Sequence, residues 1–423
     1  MGRQKSFICI DLKSFYASVE CVERGLDPFK TNLVVADPTR SQSTICLAIT
    51  PAMKKLGVKN RCRIHEIPAG IEYITAMPRM QLYIDYSARI YSIYLRYVSK
   101  EDIHVYSIDE CFMDVTNYLS LYHMTGKEMA VELMDAVMKE TGITATAGIG
   151  TNLYLAKVAM DIVAKHVEDH IGILNEISYR QQLWDHRPLS DFWRIGSRTE
   201  KKLAGYGIHT MGDIAYTSVT SEEWLYKMFG IDAELLIDHA WGLESCDIHD
   251  IKNYHTEEHS LSNGQVLMRN YSFEEAAVVV REMTDVLVLD LVSKGLITGS
   301  VTLWIAYDHR YERPSSHGTV RLTSLTNSSS TIMDEVDKLY QKITDRHTGI
   351  RRIEICANRV MPEGYLQYDL FTDPATVEKE KNLQQAILDV KKKYGKNAIM
   401  RGANLLDCST YRERNNQIGG HRA

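Results

Sequence analysis

Val105-Tyr106-Ser107-Ile108-Asp109-Glu110-Cys111-Phe112-Met113-Asp114-Val115 sets two carboxylates side by side with β-formers on both flanks. Ile103 and Val105, then Phe112, Met113 and Val115, predict two short strands, with Ser107 to Glu110 as the corner between them. Two unit charges about 4 Å apart interact by about 4 kcal/mol at an effective dielectric of about 20. A cation normally offsets such repulsion, and oxygen ligands favour magnesium or another hard divalent ion. A solvated Asp-Glu turn accounts for the same residues, so this stretch alone leaves both readings open.

A second stretch narrows the choice. Ser6-Phe7-Ile8-Cys9-Ile10-Asp11-Leu12 is an apolar strand that carries a carboxylate near its end. Ser14 follows as a candidate N-cap, and Phe15, Val19, Val22 and Leu26 fall at helical spacing. An acid at the end of a buried strand is paired, hydrogen-bonded or metal-bound. Asp11 with Asp109 and Glu110 forms a donor set for two divalent ions, as used for in-line phosphoryl transfer.

The wider composition bounds the class. The chain has 423 residues, 44% hydrophobic and 25% charged, enough for two to four domains with real cores. No apolar run reaches the roughly 18 residues of a membrane span. Residues 1–5 lead straight into a strand, so no secretory leader is expected. Eight scattered cysteines without a CxxC pair predict reduced thiols in a cytoplasm. The net charge is −6, yet residues 391–423 hold eight basic and two acidic side chains, +6, leaving −12 for the rest. Any DNA contact must therefore come from local basic stripes.

Taken in order, residues 1–22 predict a strand and a helix. Residues 23–79 predict a small module with strands at Leu33–Ala36 and Thr44–Ile49 and a short helix from Pro51. A long helix over 80–100 carries a stripe of Tyr83, Tyr86, Ile90, Tyr94, Tyr97 and Val98, read as core. A helix over Lys127–Glu140 should turn Val131, Met134, Val137 and Met138 inward, before a strand at Ile143–Ala147. This order fits a ferredoxin-like unit. Gly148-Ile149-Gly150 opens the next helix, which holds the candidate phosphate ligands Lys157 and Lys165. Leu153 stands where a dinucleotide loop needs its third glycine, and no P-loop motif exists. Helices fill 171–236. His255 and His259 have metal-like spacing, but no third ligand is evident and no site is expected. Residues 251–360 alternate β, α, β, β, α, β, with helices at Phe273–Lys294 and Ile332–Arg346. A last helix spans Ala375–Tyr394, followed by a basic end.

Ile10-Asp11-Leu12-Lys13-Ser14-Phe15-Tyr16-Ala17-Ser18-Val19-Glu20 and Ser107-Ile108-Asp109-Glu110 resemble the two metal-binding motifs of the Y-family lesion-bypass DNA polymerases, in the bacterial UmuC-like and UV-repair branch. The resemblance runs over nearly the whole chain. It implies an α+β, multi-domain right-hand polymerase: a ferredoxin-like palm (1–22 and 80–170), small fingers (23–79) and a helical thumb with a helix-hairpin-helix (171–236). A linker (237–250), a β-α-β-β-α-β little finger (251–362) and a clamp-binding segment with a basic tail (363–423) would follow.

The implied activity is template-directed DNA synthesis across damaged bases, as in DNA repair and the SOS response. By resemblance, Asp11, Asp109, Glu110 and the Leu12 carbonyl would hold two Mg²⁺ ions. Phe15, Tyr16, Lys54 and Lys165 would bind the incoming nucleotide, with Tyr16 under its sugar against a 2′-hydroxyl. Lys165 comes one residue later than the commoner spacing. Ala48 and Pro51 stand where other branches carry Thr and Tyr. Phe192-Trp193-Arg194-Ile195-Gly196-Ser197-Arg198 resembles a helix-hairpin-helix turn that lacks one glycine, so Ile195, Gly196 and Arg198 would contact the DNA backbone. Gln367-Tyr368-Asp369-Leu370-Phe371 resembles the sliding-clamp-binding pentapeptide, with Gln367, Leu370 and Phe371 as contacts. The expected partners are primer-template DNA, deoxynucleoside triphosphates and the replication clamp. The expected setting is a cytoplasmic monomer, with accessory subunits allowed. A palm-type nucleotidyl cyclase and a non-catalytic, clamp-tethered scaffold are the competing classes.

Overall fold

A computed structural model describes residues 5–40, 43–255, 259–365 and 373–423. The chain divides into two compact units, Met1–Tyr254 and His255–Ala423. The first begins with β1 (Phe7–Leu12), α1 (Phe15–Val22), β2 (Leu33–Val35), β3 (Ala48–Ile49), α2 (Pro51–Lys55) and β4 (Ile74–Ala76). It continues through α3 (Met80–Tyr94), β5 (Ile103–Val105), β6 (Glu110–Asp114), α4 (Tyr118–Tyr122) and α5 (Gly126–Thr141). β7 (Ala145–Gly150), α6 (Leu153–Asp161) and β8 (Ile171–Leu174) close this part.

One five-stranded sheet organises these elements in the order β5-β6-β1-β7-β8. The first four strands have the ferredoxin-like arrangement. β1 lies between β6 and β7, antiparallel to both, and its apolar residues are buried, with α6 and α5 packed against it. The predicted hairpin forms, with Ile103 opposite Met113 and Val105 opposite Cys111. Residues 171–174, expected to start the helical unit, instead pair parallel with β7 as the sheet's fifth strand. Their Ile-Gly-Ile-Leu run satisfies the backbone groups that β7 would otherwise leave open on that side.

Gly148 and Gly150 do not form a phosphate loop. They end β7 where α6 crosses the sheet, and an added Cβ would meet Ala156 O at 2.1 Å and Ala156 N at 2.2 Å respectively. The glycines therefore serve close helix–sheet approach. α5 also departs from expectation. Met129, Ala130, Leu133 and Val137 face inward, whereas Val131 and Met138 are exposed. The buried set repeats every four residues, so the inward stripe is rotated from the predicted one. α3 stops at Tyr94, short of residue 100, and Ser99 caps a separate 3₁₀ turn. Tyr83, Ile90 and Tyr94 are core, but Tyr86 and Tyr97 are half-buried and donate to Glu23 (2.6 Å) and Glu132 (3.0 Å).

The small module holds a three-stranded sheet in the order β3-β2-β4. Its predicted 44–49 strand is reduced to Ala48–Ile49, with one bridge from Ile45 to Arg63. α2 starts at Pro51, with Thr50 as N-cap. The helical part follows: α7 (Glu176–Leu183), α8 (Ser197–Ala204), α9 (Met211–Thr220), α10 (Glu222–Phe229), α11 (Asp232–Trp241) and α12 (Ile248–Asn253). α11 and α12 thus occupy most of the span expected as linker.

The second unit holds β9 (His259–Tyr271), α13 (Phe273–Ser293), β10 (Leu296–Tyr307), β11 (Ser316–Thr326), α14 (Ser329–Ile343) and β12 (Ile350–Pro362). The sheet order is β11-β10-β12-β9, antiparallel throughout. Val301, Leu303, Ile305, Ile353 and Ile355 join α13 and α14 in one core. Period-2 alternation then leaves Thr302, Trp304, Arg352 and Glu354 on the opposite face, where the Arg352 guanidinium lies 5.3 Å from the Trp304 ring. α15 (Pro374–Tyr394) and α16 (Tyr411–Asn415) follow, then the hairpin β13 (Gln417–Ile418) and β14 (His421–Arg422). Part of the basic end is used internally. Arg401 pairs with Asp285, and Lys391 donates to the carbonyls of Lys396 (2.7 Å) and Ile399 (2.8 Å).

Candidate active site

The three predicted carboxylates meet at one end of the central strands. Asp11 on β1 is the direct cross-strand partner of Glu110 on β6. Asp109 sits in the turn before β6, and its carbonyl accepts the Leu12 N–H at 2.9 Å. Ser107 shapes that turn, donating from Oγ to Asp109 Oδ1 at 2.7 Å. The N–H groups of Tyr106 (3.0 Å) and Ser107 (3.1 Å) both reach the Glu110 carbonyl.

Like charges directly opposite on paired strands are destabilising. Burial first, then Asp109 and Glu110, pushes Asp11 up to about 7. Burial also raises Glu110, against the pull of Lys157. Lys157 on α6 reaches Glu110 Oε1 at 3.0 Å and Asp161 Oδ2 at 2.8 Å. Burial lowers Lys157, but Asp161 and Glu110 outweigh it and the ammonium is held above its ordinary range. One buried cation thus serves Glu110 and Asp161, leaving Asp11 and Asp109 without an equivalent partner among the described residues. Cys9 donates to Glu110 Oε1 at 3.4 Å, and burial holds its thiol protonated. The available donors are carboxylate oxygens carrying surplus negative charge, which fits a hard divalent cation.

Ser14, at φ 49°, turns the chain from β1 into α1. Tyr16 then stacks on Tyr83, ring centroids 4.5 Å apart and planes at 17°. Burial first, then the charge of Asp109, raises the Tyr16 phenol. Phe15 is only 2% exposed, so its ring is core. Tyr83 is itself locked from behind. Its hydroxyl donates to Glu20 Oε1 at 2.7 Å, and Arg79 binds both Glu20 oxygens at 2.9 and 2.8 Å.

Lys54, on α2, responds to desolvation first, then to Asp11 and Lys165, with a net lowering. Lys13 is lowered to about 8 by burial, opposed by Asp11 and reinforced by Lys54. Lys13 and Lys54 both feel the charge of Asp11, and Lys165 acts on Lys54. Lys165 lies in the 3₁₀ turn Val163–His166 that follows the end of α6 at Asp161.

In the hairpin turn, Ile195 is buried and its N–H is spent on Phe192 O at 3.1 Å. It anchors the turn and cannot offer the predicted DNA contact. Gly196 is exposed and precedes the first turn of α8, which has no side-chain cap, and Arg198 is exposed beside it. Arg194 takes the missing glycine's place at φ 69°. Gln367, Leu370 and Phe371 lie outside the described residues, as does the side chain of His259. Among the described residues, Asp247, His249 and Asp250 are one further acidic group of metal-like spacing. Its carboxylates cap α12, with Asp247 accepting from Lys5 at 3.0 Å and from the backbone N–H groups of His249 and Asp250.

Sequence reasoning missed Lys157 as the Glu110 counterion, Lys13, and the Tyr83–Glu20–Arg79 support. The Lys157–Asp161 spacing of i,i+4 was the one available signal.

Residues 10–161 match the impB/mucB/samB family, and residues 258–370 match that family's C-terminal domain. The chain is 30% identical to the putative UV-damage repair protein UvrX of Bacillus subtilis (strain 168), covering 99% of this chain and 98% of that protein. It is 29% identical to DNA polymerase IV 2 of the same organism, across 100% of both chains. Among solved structures it resembles a Y-family DNA polymerase chimera, with a TM-score of 0.65 and 21% identity over 84% of this chain and 99% of that one. No helix among the described residues is long and apolar enough to cross a membrane.

Proposed function

The chain belongs to the impB/mucB/samB family of UmuC-like Y-family polymerases, and we propose that Asp11, Asp109 and Glu110 are the carboxylates with which it builds DNA. It is a DNA-directed DNA polymerase that copies damaged templates, takes primer-template DNA and deoxynucleoside triphosphates as substrates, and uses divalent metal. Neither a nucleotidyl cyclase nor a non-catalytic scaffold accounts for matches of this extent.

The observation that supports the site is the cross-strand pair Asp11–Glu110 with Asp109 beside it, three carboxylates of which only Glu110 is paired with the buried Lys157. These residues, with the Leu12 carbonyl, would hold two Mg²⁺ ions. When bound, such ions supply activation of the primer 3′-hydroxyl and neutralisation of charge on the triphosphate. Lys54 and Lys165 screen the triphosphate from the fingers side. Tyr16, rigid against Tyr83, lies under the sugar and excludes a 2′-hydroxyl. The uncapped first turn of α8, with Gly196 and Arg198, holds a backbone phosphate. Gln367, Leu370 and Phe371 tether the enzyme to the replication clamp. The protein works as a monomer in the cytoplasm, where its template and nucleotide pool are.

Primer extension by Asp109→Ala tests the site. Nucleotide addition should fall by roughly 10²–10³-fold or more while DNA affinity and melting temperature stay near wild type. Extension at the wild-type rate would remove Asp109 from the reaction.

A further inference from the structure

Trp193 is the residue immediately before the turn that presents Gly196 and α8. Its side chain is partly buried. It is wedged between two cores: the helical one around Tyr154, Tyr179, Phe192 and Leu203, and the one under the central sheet around Phe7, Cys9 and Phe112. Its ring lies 5.8 Å from Phe112, tilted by 33°, and 5.8 Å from Tyr106, edge-on at 79°. On the other side it stacks with His239 at 6.3 Å and 16°. The indole N–H donates to the Tyr106 hydroxyl at 3.1 Å.

Both sheet-side contacts belong to the segment that carries the acids. Phe112 is two residues beyond Glu110 on β6. Tyr106 opens the acidic turn, and its N–H bonds the Glu110 carbonyl at 3.0 Å. A short covalent and hydrogen-bonded path therefore runs from the DNA-gripping turn, through Trp193 and Tyr106, to Glu110 and Asp109.

We propose that Trp193 is a positioning residue that fixes the distance between the hairpin turn and the carboxylates, and so aligns the primer 3′-hydroxyl with them. The inference rests on the site assignment above. A primer held upstream by its phosphates reaches the acids only along a path of fixed length. Misplacement by about 1 Å at the reacting centre costs about 10²-fold in rate. Tyr106 is 47% exposed, so its bond to Trp193 contributes little to folding and can be removed without opening a core.

The test uses Trp193→Phe and Tyr106→Phe, alone and together, in the full-length enzyme. Single-turnover addition of a correct nucleotide is measured at saturating DNA, with melting temperatures alongside. Each single variant should lower the maximal rate by about tenfold and leave the nucleotide KM within about twofold. The double variant should be no slower than either single one, because all three remove the same bond. Wild-type rates in the single variants, losses that multiply in the double, or rates that simply follow a lowered melting temperature would each overturn the proposal. Asp109→Ala in parallel separates the two claims. If it stays active, the carboxylate assignment fails. If it is inactive while the phenylalanine variants behave as wild type, only the role of Trp193 fails.

Discussion

The ring of Tyr16 lies flat on that of Tyr83, 4.5 Å between centroids, and Tyr83 is pinned through its hydroxyl to the buried carboxylate of Glu20. A stacked ring cannot swing aside for a bulkier sugar, because Arg79 and Arg24 hold Glu20 in turn. Tyr16→Ala should therefore raise ribonucleotide use relative to deoxynucleotide use by about tenfold or more. Tyr83→Ala should raise it less, by letting Tyr16 tilt. The quantity to measure is the ratio of the two kcat/KM values, which does not depend on the active fraction. A ratio unmoved by Tyr16→Ala would make that residue packing only.

Asp11 makes the metal-free protein sensitive to pH. Its folded carboxyl titrates at about 7, far above its unfolded value, so the folded state binds the extra proton in between. Its stabilising share is complete below the unfolded value and is lost as pH rises through about 7. Asp11→Asn has no such titration. In chelator, wild type should lose stability relative to Asp11→Asn between about pH 4 and about pH 7 and change little above that, and added Mg²⁺ should narrow the gap at the higher pH. Melting curves of both proteins check this, and a gap independent of pH would count against the charge repulsion.

Arg194 occupies the left-handed region at φ 69°, where a side chain costs about 1–2 kcal/mol. Its guanidinium lies 5.0 Å from the Trp193 ring, which offsets part of that cost. Arg194→Gly should stay within about 1 kcal/mol of wild type, whereas Arg194→Val should lose about 2 kcal/mol or more, since a β-branched residue resists this conformation. Urea unfolding distinguishes them. Equal stability for glycine and valine would mean that the turn relaxes.

The pentapeptide Gln367–Phe371 carries the clamp prediction. A net acidic chain with a hairpin turn one glycine short should release DNA early, and a tether raises effective concentration by about 10²–10⁴. Leu370→Ala with Phe371→Ala should abolish stimulation by loaded clamp and leave clamp-free extension unchanged. Loss of activity in both conditions would assign the pair to packing.

The carboxylates were legible from the chain alone. Asp11 ends an apolar strand and Asp109-Glu110 interrupts a β-hairpin, and both signals are local: alternation of apolar residues, then a break. The same kind of signal placed α13 and α14 and the β, α, β, β, α, β alternation of the second unit. Sequence fell short where a side chain's role depends on what stands opposite it. Phe15 and Tyr16 are neighbours on one helix, yet the first is buried and the second is half-buried against the Tyr83 ring, because α1 is packed by β2, β3 and α3 together. Ile195 reads as a DNA contact by position and is an anchor by burial. Met129 and Leu133 replaced Val131 and Met138 as the inward stripe of α5 for the same reason.

Sequence by itself determined the candidate acids, the ferredoxin-like order of the first strands and helices, and the family, because each is written in short-range pattern and motif. Tertiary structure alone decided that Glu110 faces Asp11, that Lys157 reaches both Glu110 and Asp161, and that Trp193 meets Tyr106. Those partners lie far apart along the chain. They are joined by strand order and by the close approach of α6 over Gly148 and Gly150, and no local periodicity records which distant side chain such packing brings opposite.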